Sequence, residues 1–439
     1  MDKPDFSIQT LGAPEIDSPV QFSKVVGDYV ANYVGEDERV IYDIDLSTNQ
    51  ATKNITYMEL LEKAGPREKI YFDPKKVRAA VVTCGGLCPG LNDVVRAIVM
   101  CLWYRYGVRK ISGIRYGFRG MLDEFGFSPV ELTPDLVAEI HRDGGTILGS
   151  SRGYGDRTTQ IVDFLERRGI NMLFAIGGDG TQKGALGIAQ EAERRNLKIA
   201  VVGIPKTIDN DLSFVQVSFG FQTAVSKAVD AISAAHTEAI GAINGIGLVK
   251  VMGRQSGFIA AGTALAINDV NFVLVPEVPF ELAGDNGLLT HLEKRLENRD
   301  HAVVLVAEGA GQDLLEKENS VDASGNIRLA DIGIFLKQKI AAHFKNKGIE
   351  INLKYIDPSY IIRAAPANPQ DSVYCERLGG NAVHAAMAGK TALLIGRLHD
   401  RLVHIPIRMA VSKRNCINPD GALWRDVIDA TGQPALMKN

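Results

Sequence analysis

Gly177-Gly178-Asp179-Gly180-Thr181 follows directly on the apolar run Met172-Leu173-Phe174-Ala175-Ile176. This is a strand running into a glycine-rich turn with one carboxylate inside it. Glycines let the backbone turn tightly and let phosphate oxygens reach the N–H groups. A helical stretch follows, and its N-terminal dipole aims at the same place. Asp179 stands where a metal riding on those phosphates would be held, and magnesium needs few protein carboxylates because it keeps waters and substrate oxygens. The chemistry suggested is polyphosphate handling. Gly85 and Gly86, in Thr83-Cys84-Gly85-Gly86-Leu87-Cys88-Pro89-Gly90-Leu91-Asn92, offer a second set of backbone donors after an apolar run.

Pro205-Lys206-Thr207-Ile208-Asp209-Asn210-Asp211 comes after the apolar run 199–204. If this segment is extended, positions two apart face one side, which aligns Thr207, Asp209 and Asp211. Asp209 is the candidate general base, taking the proton of an attacking hydroxyl, with Thr207 and Asp211 orienting it. A third cluster, Met252-Gly253-Arg254-Gln255-Ser256-Gly257, supplies a cation beside glycines, and Glu308 projects from the end of the apolar run 302–307. Holding phosphates, neutralising charge, orienting a hydroxyl and accepting its proton are the four needs of phosphoryl transfer.

These side chains need a frame. From Val77 the chain alternates strand-like runs (77–83, 110–114, 172–176, 199–204, 247–252, 272–275, 302–307) with helix-like ones, of which 91–106, 222–240 and 332–347 are clear. Val94, Val95, Ile98, Val99 and Leu102 form one helical stripe. Such alternation predicts an α/β fold of parallel sheets covered by helices, with ligands at the carboxyl edge of the strands. The expected division is an N-terminal extension (1–76), a first lobe with the glycine-turn motifs (77–212), a second lobe with the Arg254 and Glu308 motifs (213–354) and a return to the first lobe with a C-terminal segment (355–439). A chain of 439 residues, 46% hydrophobic and 23% charged, is large enough for two such lobes. Its net charge of -3 shows no basic excess for nucleic acid. No apolar run reaches the roughly 20 residues of a membrane span. The first residues lack a signal-peptide pattern and the five cysteines are sparse and odd in number, which together point to a reducing cytoplasm.

In order and spacing these motifs resemble the 6-phosphofructokinase family from about Val77 to about Arg397. The resemblance implies two Rossmann-like parallel-sheet lobes, ATP and fructose 6-phosphate as substrates, Mg²⁺ held at Asp179, and a homotetramer or homodimer. Gly144-Gly145-Thr146-Ile147-Leu148-Gly149-Ser150-Ser151-Arg152 resembles an element whose arginine bridges the transferring phosphoryl group. Nucleotide contacts are implied for Gly85, Gly86, Arg152, Gly153, Arg157, the 177–181 turn, Lys183 and Gly184. Sugar-phosphate contacts are implied for Lys206, Thr207, Ile208, Asp209, Met252, Gly253, Arg254, Glu308, Lys354, Tyr360 and Arg363. Lys354 and Tyr360 replace an arginine and a histidine of the common bacterial enzymes, and Gly245 stands where those enzymes have another arginine, a contact that Asn244 or a neighbouring subunit would have to supply.

Two positions bear on the phosphoryl donor. Pyrophosphate-dependent relatives carry aspartate where this chain has Gly180, and lysine where it has Lys206. Glycine leaves room for the α-phosphate of a nucleotide, which favours ATP; Lys206 points to pyrophosphate. The combination resembles the ATP-dependent branch of trypanosomatids, plants and some bacteria. A regulatory subunit without turnover is disfavoured by the joint presence of Asp209, Asp179 and Arg152. A dinucleotide oxidoreductase lacks its G-x-G-x-x-G fingerprint after the first strand. Gly389-Lys390-Thr391 imitates the end of a P-loop, but His384 occupies its first glycine position. Cys84 and Cys88 have metal-pair spacing without a second pair nearby. Asn54-Ile55-Thr56 is a sequon by pattern alone.

Overall fold

The computed structural model describes residues 5–42, 44, 60–316 and 328–439. The first four residues and the Asn54-Ile55-Thr56 sequon lie outside this set. Among the described residues no helix is long and apolar enough to cross a membrane. The chain forms two compact units. One comprises 1–207, 212–220 and 365–414; the other comprises 208–211, 221–364 and 415–439.

The first unit is built on a nine-stranded sheet. Its centre is parallel: Lys110–Ile114, Arg78–Thr83, Met172–Gly177, Ala200–Pro205 and Leu393–Leu398 lie side by side in that order. Strand Met172–Gly177 is buried at every position, as a central parallel strand with helices on both faces must be. Antiparallel strands finish both sides. Val130–Glu131 closes one edge; Arg401–Pro406, Leu60–Lys63 and Arg39–Ile41 extend the other. The N-terminal residues thus add strands to the sheet. The P-loop imitation is a short buried strand, Lys390–Thr391, paired with Gln9–Thr10. The Lys390 ammonium bonds to Glu36 at 2.9 Å and Glu62 at 2.7 Å. The helix after the first glycine turn is α-helical over Leu91–Met100 and continues as a π-helical turn over Cys101–Tyr106.

The second unit carries a four-stranded all-parallel sheet, ordered Phe272–Leu274, His301–Ala307, Gly245–Val251, Asn352–Ile356. Helices Phe221–Ile240, Phe258–Ile267, Leu288–Arg299 and Ile332–Asn346 cover it. Leu248, Leu292, Val304 and Leu336 are fully buried in one of its core clusters.

Candidate active site

Strand register sets the donor side. Thr83 is level with Ile176, and Gly177 with Pro205. The three chains that leave the sheet here therefore start from one line at its carboxyl edge. They are tied together at once. The Cys84 N–H donates to the Ile176 carbonyl at 2.9 Å, and the Lys206 N–H to that of Gly177 at 3.1 Å. Gly85, at φ +86°, needs the left-handed region that glycine alone enters cheaply. Its N–H donates to the Ser151 carbonyl at 2.9 Å, and the Ser150 Oγ donates to the Gly85 carbonyl at 2.6 Å. The loop bearing Arg152 and Gly153 is thus fastened to the first glycine turn, with Arg152 half-buried. The Lys206 Nζ reaches the Gly86 carbonyl at 2.5 Å.

Asp179 opens the helix Asp179–Arg194, and its carboxylate pairs with Lys183 one turn on at 2.8 Å. Thr181 is buried in the same turn. A Cβ on Gly180 would find nothing within 4 Å. Gly184 lets the helix pass close to Gly155: a Cβ there would lie 2.9 Å from the Gly155 Cα. The Arg157 guanidinium is held by Gln160 and, at 3.3 Å, by Glu124. The structure so brings Gly85, Gly86, Arg152, Gly177–Thr181 and Lys206 to one edge, with Gly153, Arg157, Lys183 and Gly184 on the adjoining loop and helix.

The acceptor side is assembled in the second unit, which contains Ile208–Asp211. The expectation of an extended run across Thr207, Asp209 and Asp211 is not met. The backbone turns at 208–209, and Asn210 sits at φ +56°. Asp209 and Asp211 still influence one another. Burial, then the charges of Asp211 and Glu308, push the Asp209 carboxyl up to about 7, and Arg254 and Arg363 offset part of this. Ile208 is buried beside it; Thr207 stays with the first unit, its carbonyl accepting the Ser218 hydroxyl.

Val251 is level with Ala307, so Met252 and Glu308 leave the sheet together. The Arg254 N–H donates to Glu308 Oε1 at 3.0 Å, and the Glu308 N–H to the Val251 carbonyl at 2.9 Å. Arg254 has φ +48°, a conformation that costs a non-glycine residue on the order of 1–3 kcal/mol. Gly309 makes it possible, because a Cβ there would stand 1.6 Å from the Arg254 carbonyl oxygen. Gly309→Ala should therefore lose roughly 1–3 kcal/mol by overpacking, seen as a lower Tm in thermal unfolding; an unchanged Tm means the loop yields freely.

Lys354 and Tyr360 are not drawn into the carboxylate cluster. Lys354 is exposed in the edge strand, level with Gly247, and Tyr360 is 80% exposed. Gly245 is a steric necessity: a Cβ would come within 2.0 Å of the Ala239 carbonyl oxygen, so no arginine fits there. The Asn244 amide beside it donates to the Glu350 carbonyl at 2.9 Å.

Two residues that the sequence did not flag hold this side in place. Asn415 donates from its backbone to the Asp211 carbonyl at 2.9 Å and from its side chain to that of Asn210 at 3.2 Å. Its own carbonyl accepts the Ser256 hydroxyl at 2.7 Å. Glu277 accepts the Gly257 N–H at 2.9 Å and the Ile417 N–H at 2.8 Å. Both stand far along the chain from what they brace, and no local spacing marks them.

The sequence profile of the family described as Phosphofructokinase matches residues 78–386. The ATP-dependent 6-phosphofructokinase of Borreliella burgdorferi is 56% identical over 444 residues, covering 99% of this chain and 98% of that protein. The ATP-dependent 6-phosphofructokinase of Trypanosoma brucei brucei is 48% identical over 375 residues, covering 85% of this chain and 76% of that protein. Among solved structures, a pyrophosphate-dependent phosphofructokinase from Marinobacter aquaeolei superposes with a TM-score of 0.66 at 22% identity, over 81% of this chain and 91% of that one, a likeness of fold. Profile, full-length identity and fold agree with the motifs at the two sheet edges, and the chain belongs to the phosphofructokinase family.

Proposed function

We propose that this chain transfers the γ-phosphoryl group of ATP to the 1-hydroxyl of fructose 6-phosphate, giving fructose 1,6-bisphosphate and ADP. The observation that carries the reading is Asp209, a buried carboxylate pushed up to about 7 by burial and by the charges of Asp211 and Glu308, with Arg254 and Arg363 near enough to offset part of the shift. A base poised near neutrality can take a hydroxyl proton and still exist in its basic form at working pH. The two arginines suit the sugar's phosphate, and Glu308 suits its hydroxyls as an acceptor.

On the donor side, the N–H groups around Gly85, Gly86 and the 177–181 turn would hold the polyphosphate, with Arg152 set against the charge that develops on the phosphoryl oxygens. Asp179 fits magnesium: it is a hard oxygen ligand, partly exposed at the first turn of a helix beside the glycine turn. When bound, the ion neutralises phosphate charge. Lys183, paired to Asp179, would hold that carboxylate in place.

Pyrophosphate as donor is the second reading, and Lys206 is what favours it. Its ammonium, however, contacts the Gly86 carbonyl, and the space around Gly180 is open. Both features suit a lysine bracing a nucleotide-sized site. Initial rates with fructose 6-phosphate and either ATP or pyrophosphate, coupled to aldolase, test the reading. Turnover with pyrophosphate alone would reverse the donor, and turnover with neither would overturn the activity. The reading includes a cytoplasmic homodimer or homotetramer, which light scattering measures.

Arg152→Ala should lower kcat by on the order of 10²-fold and leave the KM for ATP nearly unchanged, as for a group that acts on the transition state. A change confined to KM would make Arg152 a binding residue.

A further inference from the structure

Gln182 stands in the first turn of the helix Asp179–Arg194, yet its side chain is fully buried. It turns back onto the sheet. Its Nε2 carries two N–H groups shared among three carbonyls: Ala175 at 3.3 Å, Gly177 at 2.9 Å and Ile204 at 3.2 Å. The first two belong to the strand that ends in the glycine turn. The third belongs to the neighbouring strand that runs into Lys206 and Thr207. The paired ladder ends at this level, with Gly177 against Pro205, so the amide spans its last rungs. The Gly177 carbonyl also accepts the Lys206 N–H at 3.1 Å.

The other end of the amide is informative. Oε1 is buried and has no hydrogen-bond partner among the described residues. It lies against Gly203, where any Cβ would come within 2.0 Å of it. Burying an acceptor without a partner is unfavourable, and methionine would fill a similar volume without one. Packing alone therefore gives no reason for a glutamine here. The cross-strand clamp does.

We propose that Gln182 is a positioning residue for phosphoryl transfer: its amide fixes the glycine turn that carries Asp179 relative to the peptide that carries Lys206 and Thr207. The proposal rests on the phosphotransferase reading above. A slip between these two strand ends moves Asp179 relative to Lys206 and Thr207. A misplacement of about 1 Å can cost on the order of 10²-fold in rate.

Gln182→Met keeps length and volume and removes both donors. Its kcat should fall by roughly 10–100-fold while the KM for ATP and for fructose 6-phosphate stays within about threefold. Rates are normalised to nucleotide-binding stoichiometry, so misfolded molecules do not count. Gln182→Glu puts a charged acceptor against three carbonyls. Lowering the pH protonates it and restores one O–H donor, so the ratio of its kcat to the parent's should rise from pH 8 to pH 6. Gly203→Ala brings a Cβ to 2.0 Å from the amide oxygen and pushes the amide off its carbonyls, so it should reproduce the loss. If Gln182→Met keeps parental kcat per bound site, or the Gln182→Glu ratio falls toward pH 6, the clamp is overturned. A parent that fails to turn over fructose 6-phosphate overturns the phosphotransferase reading and the proposal with it. A working parent with unaffected variants overturns the proposal alone.

Discussion

Asp209→Asn is expected to lower kcat by roughly 10²–10⁴-fold, the usual worth of a general base, and at the same time to make the protein more stable. Both effects come from one arrangement. Burial and the charges of Asp211 and Glu308 raise the Asp209 carboxyl from its ordinary value to about 7. The basic form is the working one, so kcat/KM in the parent should fall as pH drops through about 7. The stability linkage has the opposite sign. A carboxyl whose folded value lies above its unfolded value contributes stability below the unfolded value, and loses that contribution as pH rises through the folded one. At pH 8 the parent therefore carries a buried, repelled charge that the amide variant lacks. Thermal unfolding at pH 5, 6.5 and 8 should show the variant's advantage growing with pH. Turnover within threefold of the parent removes Asp209 from the role of base. A variant no more stable at pH 8 means that the carboxylate is not electrostatically strained.

The turns around Asp209 are tied down by hydrogen bonds from distant parts of the chain. Asn415 and Glu277, both in the second unit, tie the 208–211 turn and the 253–257 turn to one C-terminal segment. Glu308 and Gly309 together hold Arg254 at its left-handed φ. A base kept partly charged in a buried place needs such bracing, since a looser turn would relax toward solvent and its pKa would fall back.

The parallel core was legible in the sequence because strands buried on both faces must be continuous apolar runs. Residues 172–176 and 302–307 are strands in the structure, within a residue of their expected ends. The motif-bearing turns were legible because each follows such a run. Antiparallel flanks carry no comparable signal: Leu60–Lys63 and Arg401–Pro406 are short or mixed, and their partners are set by tertiary contact. The condition that 207–211 be extended fails at the 208–209 turn, because the spacing of Thr207, Asp209 and Asp211 alone cannot tell a strand from a turn. Lys354 and Tyr360 matched by spacing, yet their exposure is a property of the sheet edge and of a short helix. Gln182 was read past, because a glutamine in a helix is ordinarily a surface residue. Only the three carbonyls beneath it give it a purpose.

Gly180→Asp has the second large effect, and it concerns the choice of donor. The position offers open space, with nothing within 4 Å of a Cβ and an ordinary helical backbone. The variant should therefore fold normally, and a change in activity can be assigned to what the side chain meets in the complex. The new carboxylate lies one residue from Asp179, on the first turn of the helix. It adds both bulk and like charge beside a bound polyphosphate. ATP-dependent turnover should nearly vanish. Pyrophosphate has no adenosyl-bearing phosphate to collide with, so its exclusion should be much weaker, and Lys206 is already in place to assist it. Initial rates with each donor, in parent and variant, together with a thermal melt of both, decide the matter. A variant with parental Tm and no ATP turnover fits a steric and electrostatic gate at position 180. A variant that keeps parental ATP kinetics would show that the nucleotide never approaches this glycine, and the argument for ATP from an empty side-chain position would then fall.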